Sequence, residues 1–124
     1  MMPRQPEGKL HTKIQARIKQ AGGFVVKIHA SEDSFMRVGL PDLLCCYRGR
    51  FVGLEVKMPG NTPTPVQKAV LQEIVSAGGY ASVVSTLEQV DHLLAKIDTE
   101  VDLARGSIVR RQLMLDRSIS RHGG

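Results

Sequence analysis

The chain has no tryptophan, two cysteines and few aromatic residues of any kind, 4% of its 124. Scarce aromatics leave few platforms on which unpaired bases stack, which disfavours a protein that grips single strands that way. The two cysteines, Cys45 and Cys46, are neighbours. Neighbours on a strand point to opposite faces, so these two are poorly placed to bond each other. Two adjacent thiols without a second pair also make a poor zinc site. They read as small apolar strand residues in a reducing compartment. No apolar run approaches the roughly 20 residues of a membrane span. The opening MMPRQPEGKLHTK lacks the apolar stretch of a secretory signal. The expectation is a soluble, intracellular (cytoplasmic) protein.

What is present suits one domain. Hydrophobic residues make up 42% of the chain, enough to fill a core at this length. Seventeen basic residues against twelve acidic ones give a net charge of +5. A basic balance favours a polyanionic partner, nucleic acid above all.

Residues 1–7 contain two prolines and read as an extended arm. From about Gly8 to Ala21, Leu10, Ile14 and Ile18 recur at helical spacing among Lys9, Lys13, Arg17 and Lys19. Gly22-Gly23 ends this helix. Residues 24–29 read as a first strand, and 30–41 as a polar loop. Residues 42–57 read as a β-hairpin with Arg48-Gly49 at its tip. Thr64 and Pro65 open a second helix that Gly78-Gly79 ends. A strand over 80–85 and a third helix from Thr86 to about Ile97 follow. The order predicts an α/β fold, a mixed β-sheet flanked by helices, with a parallel return from the third strand to the fourth. Residues 1–97 form the domain in this reading. Residues 98–124, with Arg105, Arg110, Arg111, Arg117 and Arg121 among apolar residues, read as a basic tail. That tail is either frayed, or a helix that packs on a second subunit or lies along nucleic acid.

The hairpin carries the chemistry. With Arg48-Gly49 at the centre of the turn, residues whose numbers sum to 97 stand opposite each other, as 47 with 50 and 42 with 55. Asp42 then faces Glu55 on the same side of the sheet, with Cβ atoms ~5 Å apart. Lys57, two residues on, points to that side too. Facing carboxylates repel, so something must offset them. A divalent cation does so; a buried salt bridge from Lys57 is the competing explanation. Mg²⁺ and Mn²⁺ take oxygen ligands. Two carboxylates and a backbone carbonyl, such as that of Val56, leave room for water and a phosphate oxygen. Lys57 would hold or help deprotonate the attacking water and stabilise the charge that develops on phosphorus. No Ser-His-Asp or Cys-His pattern competes with this chemistry.

Pro41-Asp42, a spacer and Glu55-Val56-Lys57 resemble the PD-(D/E)xK nuclease superfamily. The run from Arg37 to Leu44, then Phe51 to Lys57, then Gln67 after a Thr-Pro turn, resembles the VRR-NUC family of virus-type replication-repair nucleases. The resemblance spans roughly residues 7–85. It implies a restriction-endonuclease-like core and a Mg²⁺- or Mn²⁺-dependent endodeoxyribonuclease. It further implies action on branched DNA such as Holliday junctions, a place in DNA repair, and a homodimer. Under it Asp42 and Glu55 are metal ligands, Lys57 is the catalytic lysine, and Gln67 orients water or substrate. Glu7, opening the first helix, completes the metal shell through a water. The rival functions are a non-catalytic DNA-binding module and a general or sequence-specific DNA nuclease.

Plainer roles stand beside these. Thr64-Pro-Val-Gln67 fits a capping box, and Glu7 suits a helix N-terminus. His29 reads as a surface residue; His11 and His92 read as solvated helix residues. The lysines and arginine of the first helix read either as its wet face or as a phosphate-tracking stripe.

Overall fold

In the computed structural model, residues 6–29 and 37–122 are described, with side chains described through residue 117 of the last helix. Residues 1–5 of the arm expected at the N-terminus and most of the 30–41 loop lie outside these residues, and Pro6 and Glu7, expected in that arm, instead form the first turn of a helix. The elements are α1 (Pro6–Gln20), β1 (Phe24–Lys27), β2 (Leu43–Tyr47), β3 (Arg50–Val56), α2 (Pro65–Ser76), β4 (Tyr80–Val84) and α3 (Leu87–His122). β1 is two residues shorter than expected. The larger correction concerns α3, which was expected to end near Ile97 and runs on to His122.

The strands form one sheet in the order β1-β2-β3-β4. β1, β2 and β3 pair antiparallel, and β4 joins β3 in parallel through α2. The mixed α/β sheet expected from the sequence is therefore present. Alternation along the strands divides the two faces. Leu43, Cys45, Tyr47, Val52, Leu54 and Val56 point to one face. There they meet Ile14 and Ile18 of α1 and Val90, Leu94, Ile97 and Val101 of α3. α2 lies on the opposite face. Gly53 points that way, and a Cβ there would meet Ile74 Cδ1 at 2.8 Å and Pro41 Cγ at 3.0 Å. The missing side chain lets α2 and the Pro41 segment close over the sheet.

The hairpin register is the expected one: Tyr47 pairs with Arg50, Cys46 with Phe51 and Leu43 with Leu54. Arg48 and Gly49 both have positive φ, 48° and 77°. Two such residues make the tight turn whose twist matches paired strands. The tip is also held from outside. Tyr47 Oη donates to Asp98 Oδ1 at 2.8 Å, and Arg48 bonds Asp98 at 3.2 Å and Asp102 at 2.8 Å. These contacts and buried Val101 carry α3 past Ile97 as one unbroken helix.

Candidate active site

The site lies where β2 begins and β3 ends. Asp42 immediately precedes β2, and its backbone carbonyl accepts the Ile28 N–H at 2.8 Å, tying it to the end of β1. Its Oδ2 accepts the Val56 N–H at 2.8 Å across the hairpin. The register thus puts Asp42 beside Glu55, as the turn arithmetic required.

Glu55 is 1% exposed. Its Oε1 accepts a hydrogen bond from Gln67 Nε2 at 3.2 Å and lies 3.7 Å from Lys57 Nζ. Its Oε2 is buried and has no hydrogen-bond partner among the described residues. Burial first, then the closeness and charge of the Asp42 carboxylate, push the Glu55 carboxyl from an ordinary 4.5 up to about 8, against the pull of Lys57. The salt bridge offered as the competing explanation is therefore present, and on Glu55 its pull is smaller than the push of burial and of Asp42.

Gln67 closes the expected cap and also touches Glu55. Thr64 Oγ1 accepts the Gln67 N–H at 3.2 Å, and Gln67 Oε1 accepts the Thr64 N–H at 2.8 Å, a complete capping box. With the amide oxygen committed to the cap, the amide nitrogen must face Glu55. The cap fixes which end of this side chain the carboxylate meets.

α1 brings two further groups. Glu7 sits in its first turn, where a carboxylate suits the helix dipole. His11 follows one turn later. It was expected to be solvated; instead it is buried, at 6% exposure, between acids. His11 Nε2 lies 3.8 Å from Glu7 Oε1 and 3.9 Å from Asp42 Oδ2. Burial lowers the imidazole pKa, opposed by Asp42 and Glu7 and assisted by Lys27. The signal was in the sequence: 7, 11, 14 and 18 trace one helical stripe, and His11 lies on it between Glu7 and the buried isoleucines.

A cavity of ≈ 380 Å³ opens beside Asp42 and Gln67, bounded by Ile28, His29, Arg37 and the Gly39–Pro41 segment. His29 is exposed, as expected, and also forms part of this wall. A larger hollow of ≈ 630 Å³ lies between β4 and the start of α3 and contains none of the acid cluster. Of the two, the smaller one is bordered by Asp42 and Gln67. The α1 stripe is only partly free, because Arg17 is paired with Asp91 at 3.1 Å, while Lys9, Lys13 and Lys19 are exposed.

A mixed sheet with an acidic cluster at the mouth of its central hairpin and helices on both faces is the α/β core of a nuclease-type domain. The chain matches a solved structure named VRR_NUC domain at 30% identity and TM-score 0.63, covering 74% of this chain and 97% of that one. The chain belongs to the VRR-NUC family. A second solved structure, named VRR_NUC domain protein, is 18% identical with TM-score 0.57, covers 82% of this chain and 92% of that one, and bears on the fold alone. No family model matches the chain, and no curated protein does.

Proposed function

We propose that this nuclease-fold domain is a divalent-metal-dependent DNA endonuclease that cuts branched DNA such as Holliday junctions and works as a homodimer. One observation carries the reading. Two carboxylates, Asp42 and Glu55, are held side by side, one of them buried with a free oxygen, and on Glu55 the pull of the nearest lysine is smaller than the push of burial and of Asp42. Such a pair is stable and ionised near neutral pH only with a cation beside it. The donors present fit a hard divalent ion.

Asp42 and Glu55 are the proposed ligands. Glu7, near Asp42 by way of His11, extends the shell. The Val56 N–H points at Asp42, whereas the next amide, that of Lys57, bonds Val84 on the other side of the strand. Strand carbonyls follow their own amides, so the Val56 carbonyl faces the acids. When bound, Mg²⁺ or Mn²⁺ supplies a Lewis acid for the phosphoryl group and a more acidic water. Lys57, 21% exposed beside Glu55, holds the attacking water and meets the charge that develops on phosphorus. Gln67 keeps Glu55 in place and borders the cavity through which substrate would arrive. A symmetric junction needs two nicks, and a two-fold dimer supplies two sites. Among the described residues no helix is long and apolar enough to cross a membrane.

The test is incubation with Mg²⁺ or Mn²⁺ and a panel of linear, flapped and four-way DNAs. Paired symmetric nicks across the four-way substrate are expected, and EDTA should stop them. Asp42→Ala, Glu55→Ala and Lys57→Ala should each lose at least ~10³-fold in cleavage rate while binding the junction without metal. Undiminished cleavage by Asp42→Ala would remove the site assignment. Equal cutting of every DNA in the panel would remove the branched-DNA specificity but not the nuclease.

A further inference from the structure

A histidine buried between two acids usually serves as their hydrogen-bond donor. His11 does not fit that role. Its Nε2 stands 3.8 Å from Glu7 Oε1 and 3.9 Å from Asp42 Oδ2, both beyond hydrogen-bond length. Yet the ligating atoms of the three side chains all lie within 4.8 Å of one another. Three donor atoms therefore face a common gap without touching. Around an ion with bonds of about 2.1 Å, adjacent ligand atoms stand roughly 3 Å apart and opposite ones roughly 4.2 Å apart. The two separations from His11 Nε2, 3.8 and 3.9 Å, fall between these limits. Small side-chain rotations would bring all three atoms onto one ion, with no movement of the backbone.

The placement is built into the fold. Glu7 and His11 are one helical turn apart, so α1 presents both on the same face. The stripe that buries Ile14 and Ile18 presses that face against the sheet. Asp42 is anchored at the other side by the Val56 amide. A second, independent sign lies alongside: Glu55, opposite Asp42 on the hairpin, is 1% exposed and keeps an oxygen with no hydrogen-bond partner among the described residues.

We propose that His11 is a direct metal ligand through Nε2, completing with Glu7 and Asp42 a mixed nitrogen-oxygen shell that favours Mn²⁺ over Mg²⁺. This rests on the metal-dependent reading given above and deepens it. Mg²⁺ takes oxygen donors and gives up its waters reluctantly. Imidazole suits first-row transition ions, and Mn²⁺ is the one among them that also suits carboxylates and water. An acid-only shell would not separate the two ions in this way. The nitrogen donor also places Glu7 in the inner shell, since its carboxylate reaches the same gap as the imidazole.

The experiment reads the ligand directly. The full chain is loaded with one equivalent of Mn²⁺, without DNA, and examined by pulsed electron paramagnetic resonance. Nitrogen modulation of the Mn²⁺ signal is expected, changing to the ¹⁵N pattern when the protein carries ¹⁵N-histidine. His11→Gln should abolish the modulation, and His29→Ala should keep it. Calorimetric titration should show Mn²⁺ affinity falling about tenfold or more in His11→Gln, with Mg²⁺ affinity changed far less. Bound Mn²⁺ with no nitrogen modulation overturns the histidine ligand and leaves the metal site standing. Loss of the modulation in His29→Ala rather than His11→Gln overturns it as well. A native chain that binds no Mn²⁺ overturns both the ligand and the metal-dependent reading. Should His11→Gln fail to fold, the labelled native protein together with His29→Ala decides the question: nitrogen modulation kept in His29→Ala supports His11, and its loss there overturns it.

Discussion

Glu55 is the residue on which the site turns, and its acidity has a thermodynamic consequence. In the unfolded chain its carboxyl titrates near 4.5; in the folded, metal-free protein the proton is held up to about 8. Below 4.5 both states are protonated and pH has no effect through this group. Between 4.5 and 8 the folded state holds more protons, so each rise in pH destabilises it, and above 8 the full cost is in place. The metal-free protein should therefore melt several degrees lower at pH 8.5 than Glu55→Gln predicts, with the two proteins converging toward pH 5. Comparing the two cancels the contribution of His11. That residue acts in the opposite sense, because its folded pKa is depressed. Parallel melting-temperature curves for the two proteins in the absence of metal would contradict the raised acidity. The placing of Asp42, Glu55 and Lys57 near one another was legible in the sequence because their spacing about one turn has a geometric meaning. His11 was not, because a polar residue on a helix was assigned to water although its position on the stripe put it inside.

At the scale of elements, α2 and the hairpin meet at one side chain. Gln67 closes the capping box of α2 with one end and holds Glu55 with the other. The two roles separate by mutation. Thr64→Ala removes the cap and should cost about 1 kcal/mol of stability, with cleavage changed little, because the Gln67 amide can still reach Glu55. Gln67→Ala removes both, so it should show a similar loss in thermal or urea unfolding and a fall in cleavage rate of roughly tenfold or more. Equal cleavage by the two variants would make Gln67 a cap only. Sequence reasoning saw both roles and set them against each other. It could not see that a single amide has two ends aimed at different partners. The hairpin register was legible in full, because Arg48-Gly49 allows a tight turn and the alternation of buried residues admits one pairing.

At the scale of the whole molecule, α3 outgrows the core. Among the described residues its last buried one is Val101, yet the helix continues to His122. The length was legible only in part: the third helix was ended near Ile97, and the residues beyond it were read as a frayed tail or as a further helix, not as its continuation. What sustains it are Asp98 and Asp102, which pair with Arg48 at the hairpin tip, a contact between distant parts of the chain. Beyond that anchor Ile108 is 68% exposed and Met114 70%, with Leu113 and Leu115 more than half exposed. Most of the stability of a protein helix comes from packing an apolar face rather than from propensity. Ile108 and Leu115 continue the seven-residue spacing that buries Leu94 and Val101. This is the surface on which the proposed homodimer would form, a second copy covering the apolar stripe. A chain ending at Arg105 keeps Val101 and both aspartates, so it should retain its fold and melt within a few degrees of the dissociated full chain. In sedimentation the full chain should be a dimer and the shortened one a monomer. A full chain that stays monomeric at tens of micromolar (about the range in which weak dimers form) would overturn the dimer. The exposed arginines of α3 would then be tested as a DNA contact. A full chain whose junction affinity falls more steeply with salt than that of the shortened chain would assign the overhang to phosphate binding instead.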